Sequence, residues 1–309
     1  MHIINSHVHM IELDKALACA EGFALDSGVA VFSEFKDSLP LLSVREMIRQ
    51  MDEAGIAQSI VYAVDAPIVY ASNQYVHRLC KRYPDRLIGF ASVNPRRPGA
   101  VEEFQRAVED FSLKGLKLHP PLQRFFPNDE SVFPLYEKAA ELNVPVVFHV
   151  GTTPFGSLCR LAHANPLLID EVAVAFPSLR IMLTHLGTLW HHEAFMVVEQ
   201  NPNVYIDTAA YLYEIREILT RDTVERIGRN KVIFGTDYPM PYVGRVHRMK
   251  DFVDALRQLD LPGEMLDGIF SGNVQTFLNG RRELAPGPSA AEIMEQARPY
   301  LEDNGGMPQ

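Results

Sequence analysis

Short runs of apolar, β-branched and aromatic residues recur along this chain, each nearly continuous and each followed by a stretch whose apolar positions repeat with helical spacing. Strands buried on both faces read this way, and strands of that kind alternating with helices indicate βα units around a parallel sheet. The runs span His2 to Ser6, Gln58 to Ala63, Leu87 to Val93, Gly115 to His119, Pro145 to Val150, Arg180 to His185, Val204 to Asp207 and Val232 to Asp237. Helices fit the gaps: Val44 to Ala54, Asn73 to Arg82, Val101 to Phe111, Val132 to Asn143, Leu167 to Ala175, His191 to Glu199, Ile215 to Ile227 and Lys250 to Gln258. Gly55, Pro84 and Pro177 are stop signals, and Ser43 with Glu46 has the spacing of a capping box. Eight alternating pairs predict an α/β fold, a (β/α)8 TIM barrel.

Two segments fall outside the repeat. The insertion from Met10 to Leu42 leaves the C-terminal end of the first strand, so in a barrel it lies over the mouth and is read as a lid. The tail over residues 283–309 is read as packing or oligomer contact.

Composition narrows the picture. With 309 residues, 47% of them hydrophobic, the chain holds enough apolar material for one large core, and a single domain over 1–309 is expected. The net charge of −10 repels a phosphate backbone or an anionic membrane surface, so nucleic acid and membranes are not expected partners. No stretch approaches the roughly 20 apolar residues of a membrane span, and MHIINSHVHM carries neither a basic nor an apolar leader region, so a cytoplasmic location is expected. Cys19, Cys80 and Cys159 are odd in number and far apart, which fits reduced thiols.

The chemistry gathers at strand ends. On a strand, residues i and i+2 share a face, so His7 and His9 point the same way. Paired imidazoles suit a borderline metal such as zinc, although an isolated His-x-His pair also occurs simply solvated. Further candidates each end a later run: His149 in PVVFHVG, His185 in IMLTHLG and Asp237 in VIFGTDYP. A lone histidine after an apolar run is commonly a satisfied core residue, and a lone Gly-Thr-Asp a turn. At barrel strand ends, however, these positions converge on one mouth. In the fourth run, Lys117 and His119 share a face; His119 is read as a substrate contact or supplementary ligand, against the alternative of a buried histidine bonded to backbone. Gln123 and Arg124 follow on a polar loop and are candidate contacts for a substrate carboxylate, the arginine as a bidentate fork. Trp190 is a candidate pocket wall, His191 and His192 are read as structural or exposed, and Asn273 as tying backbone near the last strand.

The order HVH, FHVG, THLG and GTDYP resembles the amidohydrolase superfamily, and within it the amidohydrolase-related branch that includes aminocarboxymuconate-semialdehyde decarboxylase and resorcylate decarboxylases. The resemblance runs from about His7 to Asn273. It implies one divalent metal, zinc first and Mn, Fe or Co as alternatives, held by His7, His9, His149 and Asp237. Asp237 then also moves the proton of a metal-activated water, whose pKa falls from 15.7 to about 7 on zinc, while His185 polarises the substrate. Binuclear members carboxylate a fourth-strand lysine, which makes Lys117 a candidate second-metal ligand.

Two reactions share such a site. Several aromatic-acid decarboxylases of the branch replace the first histidine of the pair with glutamate. This chain keeps His7, which places hydrolysis of an amide, ester or lactone first. Non-oxidative decarboxylation of an aromatic or unsaturated acid is the alternative, and a non-catalytic metal- or ligand-binding barrel the third. The expected partner is a small molecule, and the resemblance also implies a homodimer or larger homo-oligomer.

Overall fold

The eight apolar runs pair as parallel strands in chain order. They are β1 (Ile3–His9), β2 (Ile56–Tyr62), β3 (Leu87–Phe90), β4 (Leu116–Leu118), β5 (Val146–Phe148), β6 (Ile181–Leu183), β7 (Val204–Asp207) and β8 (Val232–Ile233). The structure, a computed structural model, is described over residues 2–20, 39–153, 155–209, 212–239, 241–242, 245–280, 293–296 and 298. Ladders join β1 to β3 and β4 to β8, and backbone bonds stitch the two seams. Ala91 N–H donates to Gly115 O at 2.8 Å and Lys117 N–H to Ala91 O at 2.7 Å, while Ser6 N–H donates to Phe234 O at 2.8 Å and His9 N–H to Tyr238 O at 2.7 Å. The strands therefore follow one another in a ring, the expected TIM barrel.

Most strands are shorter than the runs because the chain leaves the ladder just where the polar residues begin. His185 and Asp237 have φ of 64° and 52°, left-handed backbone that a regular strand cannot contain. Three helices match their expected bounds, Val44–Ala54, Asn73–Arg82 and Leu167–Ala175. The seventh divides into Leu212–Ile218 and Arg221–Ile227, because the Thr220 hydroxyl accepts the Thr223 N–H and starts a new helix. The expected capping box at Ser43 does not form: Ser43 makes no side-chain cap bond. Glu46 instead takes a two-pronged bond from Arg49 at 2.7 and 2.8 Å, a charge-assisted pair that outcompetes a neutral cap. Gly55 closes that helix at φ 70° as its position requires.

Two apolar layers hold the ring. Ile3, Val61, Leu116, Val146, Ile181, Val204 and Val232 face the helices. Ile4, Ile60, Phe90, Val147, Met182, Tyr205 and Ile233 form the interior, closed below by Val274 and Phe277 of the helix Asn273–Asn279. Asn273 ties that helix down through Nδ2 bonds to Val232 O at 2.7 Å and Arg229 O at 2.9 Å. Register places Lys117 beside Val147, Met182 and Tyr205, so the interior layer takes a fully buried lysine from β4.

Of the insertion, the helix Leu13–Ala20 and the turn Leu39–Leu42 leave and re-enter at the C-terminal end of β1, where Tyr238 Oη donates to Leu41 O at 2.7 Å. Residues 21–38 of the expected lid, and the tail apart from 293–296 and 298, lie outside the described residues. Among the described residues no helix is long and apolar enough to cross a membrane.

Candidate metal centre

At the C-terminal ends of β1 and β8 three side chains meet. His7 Nε2 lies 3.1 Å from His9 Nε2, and both nitrogens lie 3.2 Å from Asp237 Oδ1. Gly235, two residues before Asp237, permits this approach, since a Cβ there would stand 3.1 Å from His7 Cβ and 2.9 Å from Ser6 Oγ. Asp237 itself is held in left-handed backbone, a strain of about 1–3 kcal/mol that persists where surrounding structure imposes it.

These three atoms form a nearly equilateral triangle. Edges of this length are ones that donor atoms sharing a single divalent ion would span. The electrostatics agree. Burial holds His7 well below the ordinary histidine value, with the Lys117 charge adding to the effect, and His9 is lowered by burial against the pull of Asp237. Neutral imidazoles are the ligating form. Whichever nitrogen of His9 carries its proton, His7 Nε2 and Asp237 Oδ1 face each other as acceptors in a buried space, a condition that a cation resolves.

The β7 terminus supplies a residue that the sequence reading did not single out. Asp207 is fully buried and its Oδ2 accepts the His7 Nδ1–H at 2.7 Å. Its Oδ1 accepts the backbone N–H of His185 at 2.7 Å and of Ala209 at 3.1 Å. Burial pushes its carboxyl up to about 6, against the nearby His185 and Lys117. With His7 and His185 it forms a second group of ligand-type atoms within 4.8 Å of one another. Its only sequence signal was that it ends the seventh apolar run.

The other expected residues stand on the β4–β6 side. His185 Nδ1 bonds Ala209 O and its Nε2 lies 3.0 Å from His149 Nδ1. His149 stacks on His119 with centroids 3.9 Å apart, and both are held well below the ordinary value by burial first. His149 therefore contacts the β6 and β4 histidines and stands outside both close groups of ligand atoms. Gly151, in FHVG, lets the β5 and β6 loops touch: a Cβ there would be 2.9 Å from Gly187 C and Thr188 O. Among the described residues, His149 Nε2, His119 Nδ1 and Lys117 Nζ are buried without a hydrogen-bond partner. Lys117 Nζ stands over the Tyr62 ring, 4.9 Å from its centroid, and burial lowers its ammonium to about 8 against Asp207 and Asp237.

Gln123 is committed to backbone. Its Oε1 accepts His119 N–H at 2.8 Å and its Nε2 donates to Val93 O at 2.9 Å and Asp65 O at 3.2 Å, so it holds the turn that carries His119. Arg124 follows in left-handed backbone, φ 59°, with its charge felt at Cys159 and His163 on the loop after β5. Trp190 is half-buried and caps the helix His191–Gln200; among the described contacts its ring does not meet the histidine cluster. His191 bonds Leu186 O through Nδ1 at 2.8 Å and approaches Glu214 at 3.5 Å, and His192 is exposed, in line with their structural reading.

Comparison with known proteins bears on this arrangement. A family model described as Amidohydrolase matches residues 37–279, a span that contains His149, His185 and Asp237. The chain is 25% identical over 262 residues to a 2-keto-4-carboxy-3-hexenedioate hydratase of Sphingobium sp. (strain NBRC 103272 / SYK-6), covering 69% of this chain and 72% of that one. Among solved structures it resembles the 5-carboxyvanillate decarboxylase of Sphingomonas paucimobilis, with a TM-score of 0.70 at 15% identity over 90% of this chain and 98% of that one. It also resembles a dihydroxybenzoic acid decarboxylase of Polaromonas sp. JS666 with bound manganese and the inhibitor 2-nitroresorcinol, with a TM-score of 0.67 at 18% identity over 91% and 98%.

Proposed function

Because this chain belongs to the amidohydrolase family, we propose that it is a metal-dependent decarboxylase of a small aromatic or unsaturated carboxylic acid. The observation that carries the metal dependence is the buried triangle of His7 Nε2, His9 Nε2 and Asp237 Oδ1, with His149 as the further ligand that the family resemblance implies. Imidazole and carboxylate accept either zinc or manganese, and the manganese in the Polaromonas structure supports manganese alongside zinc. A divalent ion held there would supply Lewis-acid stabilisation of negative charge on a substrate oxygen.

Hydrolysis stood first in the sequence reading because the His7–His9 pair is intact. The comparisons favour the decarboxylation alternative, since both structural relatives described above are decarboxylases and the hydratase matched in sequence is not a hydrolase, and the polar groups left unpaired agree with it. Among the described residues Lys117 Nζ and His119 Nδ1 are buried and unpartnered, and an unpaired buried polar group is costly until something binds it. A carboxylate-bearing substrate meets that need, with Lys117 as its fixed cation and Arg124 as a second anchor at the rim. Decarboxylation replaces a C–CO2 bond by a C–H bond, so one proton goes to carbon while the electron pair of the broken bond stays with the substrate and CO2 departs. Asp237 relays that proton, taking it up from water or from the substrate's own acidic group and passing it to carbon so that the carboxylate ends as it began, and His185 steadies charge on the substrate oxygen.

Addition of water to an unsaturated keto acid is the second reading, favoured by the hydratase that the chain matches in sequence. One experiment separates the possibilities. Protein reconstituted with manganese or zinc is offered hydroxybenzoic acids, unsaturated keto acids, lactones and amides, with CO2, added water and released acid measured separately. CO2 from an aromatic or unsaturated acid supports the proposal. A hydrated product without CO2 moves the assignment to the second reading, and acid release from a lactone or amide returns it to hydrolysis.

A further inference from the structure

The end of β7 offers the metal triangle no ligand, yet it touches two histidines of the site. We propose that this segment sets the proton positions of the centre: Asp207 is the positioning residue for His7, and the Ala209 carbonyl plays that part for His185 and, through it, for His149. This inference rests on the metal-dependent reading only for its affinity test.

The argument follows the hydrogen bonds. An ionised carboxylate only accepts, so the contact of 2.7 Å from Asp207 Oδ2 to His7 Nδ1 places the His7 proton on Nδ1. Its lone pair then sits on Nε2, the nitrogen that faces His9 and Asp237. A backbone carbonyl likewise only accepts, so the bond from His185 Nδ1 to Ala209 O makes Nδ1 the protonated nitrogen of His185. The neutral ring then has an accepting Nε2, and the nitrogen 3.0 Å from it, His149 Nδ1, must donate. His149 is left with its lone pair on Nε2, the buried nitrogen that has no partner. Both tautomers thus leave the lone pair on Nε2, at His7 facing the triangle and at His149 on the unpartnered nitrogen, and both trace to residues 207–209. Asp207 locks the arrangement further, since its other oxygen accepts the backbone N–H of His185 and of Ala209, which fixes the β6 turn against the β7 end. Partners of this kind orient ligating imidazoles, and losing one typically costs about 10–100-fold in metal affinity.

Asp207→Asn isolates the proton from the shape. The amide oxygen still accepts the two backbone N–H groups, while its NH2 now points at His7 Nδ1 and drives the proton to Nε2, where it blocks the lone pair. The test is nitrogen NMR of the histidine rings in metal-free protein, together with zinc and manganese affinity. The wild type is expected to show His7, His185 and His149 all protonated at Nδ1. Asp207→Asn is expected to show His7 protonated at Nε2 and to bind metal about 10–100-fold more weakly, with a melting temperature close to that of the wild type. A wild-type His7 protonated at Nε2 overturns the proposal, and so does an Asp207→Asn protein with unchanged His7 tautomer and unchanged affinity. If the variant does not fold, the wild-type tautomers decide alone. If the wild type binds no metal, the metal-dependent reading fails while the tautomers still test this inference.

Discussion

The two halves of the barrel mouth are finished to different degrees. On the β1–β7–β8 side, His7 is bonded at both ring nitrogens and Asp207 accepts three N–H groups, with His9 Nδ1 as an orphan. On the β4 side, Lys117 and His119 each leave a buried nitrogen without a partner among the described residues, while His149 at the end of β5 leaves Nε2 for the ion. The first half is already oriented, as a metal site must be before the ion arrives. The second carries unmet hydrogen-bonding capacity, which is what a substrate pocket keeps for its ligand. On the proposed reading, the ion and the substrate therefore belong to different strands.

The largest effect comes from breaking the wired half. Asp237→Asn keeps the shape but cannot carry the reaction's proton, and kcat should fall by about 10²–10⁴-fold in steady-state assays of CO2 release; a fall of less than tenfold would move the proton to another group. His149→Ala decides which half His149 serves. Loss of bound metal joins it to the wired half, whereas retained metal with a raised KM leaves it among the substrate contacts; the account expects metal loss.

Acid should unfold the metal-free protein through both halves at once. His7, His9, His119 and His149 all sit below 6.5 because burial opposes their charge. Below that pH the unfolded chain binds protons that the folded chain refuses, so stability falls as pH drops, by up to about 1.4 kcal/mol per pH unit for each histidine. Asp207 opposes this between 3.8 and about 6, because its folded form takes up the proton first. Four groups outweigh one. Urea midpoints of chelated protein should therefore be clearly lower at pH 5.5 than at pH 7.5, and equal midpoints would contradict the buried, neutral histidines.

A smaller, two-sided effect is expected at Lys117. Lys117→Met removes an unpaired buried amine from an otherwise apolar layer, so the metal-free protein should gain about 1 kcal/mol or more in denaturant melts. The same change should lower kcat/KM for an acidic substrate about 10–100-fold, the worth of a charged hydrogen bond. Loss of stability, or unchanged kcat/KM, would make Lys117 a packing residue. The smallest effect belongs to the rim, where Arg124→Ala should raise KM a few-fold with kcat little changed, as for a uniform binding contact.

Apolar periodicity made the barrel legible, since all eight runs became strands. Strand-end position made most of the candidate site's placement legible, because alternation and convergence are properties of the backbone that sequence spacing reports. What stayed hidden depended on tertiary geometry. Asp207 reads as the last residue of a strand until His7, two hundred positions away, is folded against it. Gln123 looked like a free amide at the mouth, yet three backbone groups claim it. The split at Thr220 turned on one hydroxyl cap that periodicity does not register.

The most direct test of the central claim is the metal content of purified protein by elemental analysis, taken on the wild type and on His7→Ala and Asp237→Ala proteins whose circular dichroism matches it. The account predicts about one equivalent of divalent metal in the wild type and less than a tenth of that in both variants. A wild type without metal after reconstitution, or variants that keep the full equivalent, would contradict the assignment of the His7–His9–Asp237 triangle.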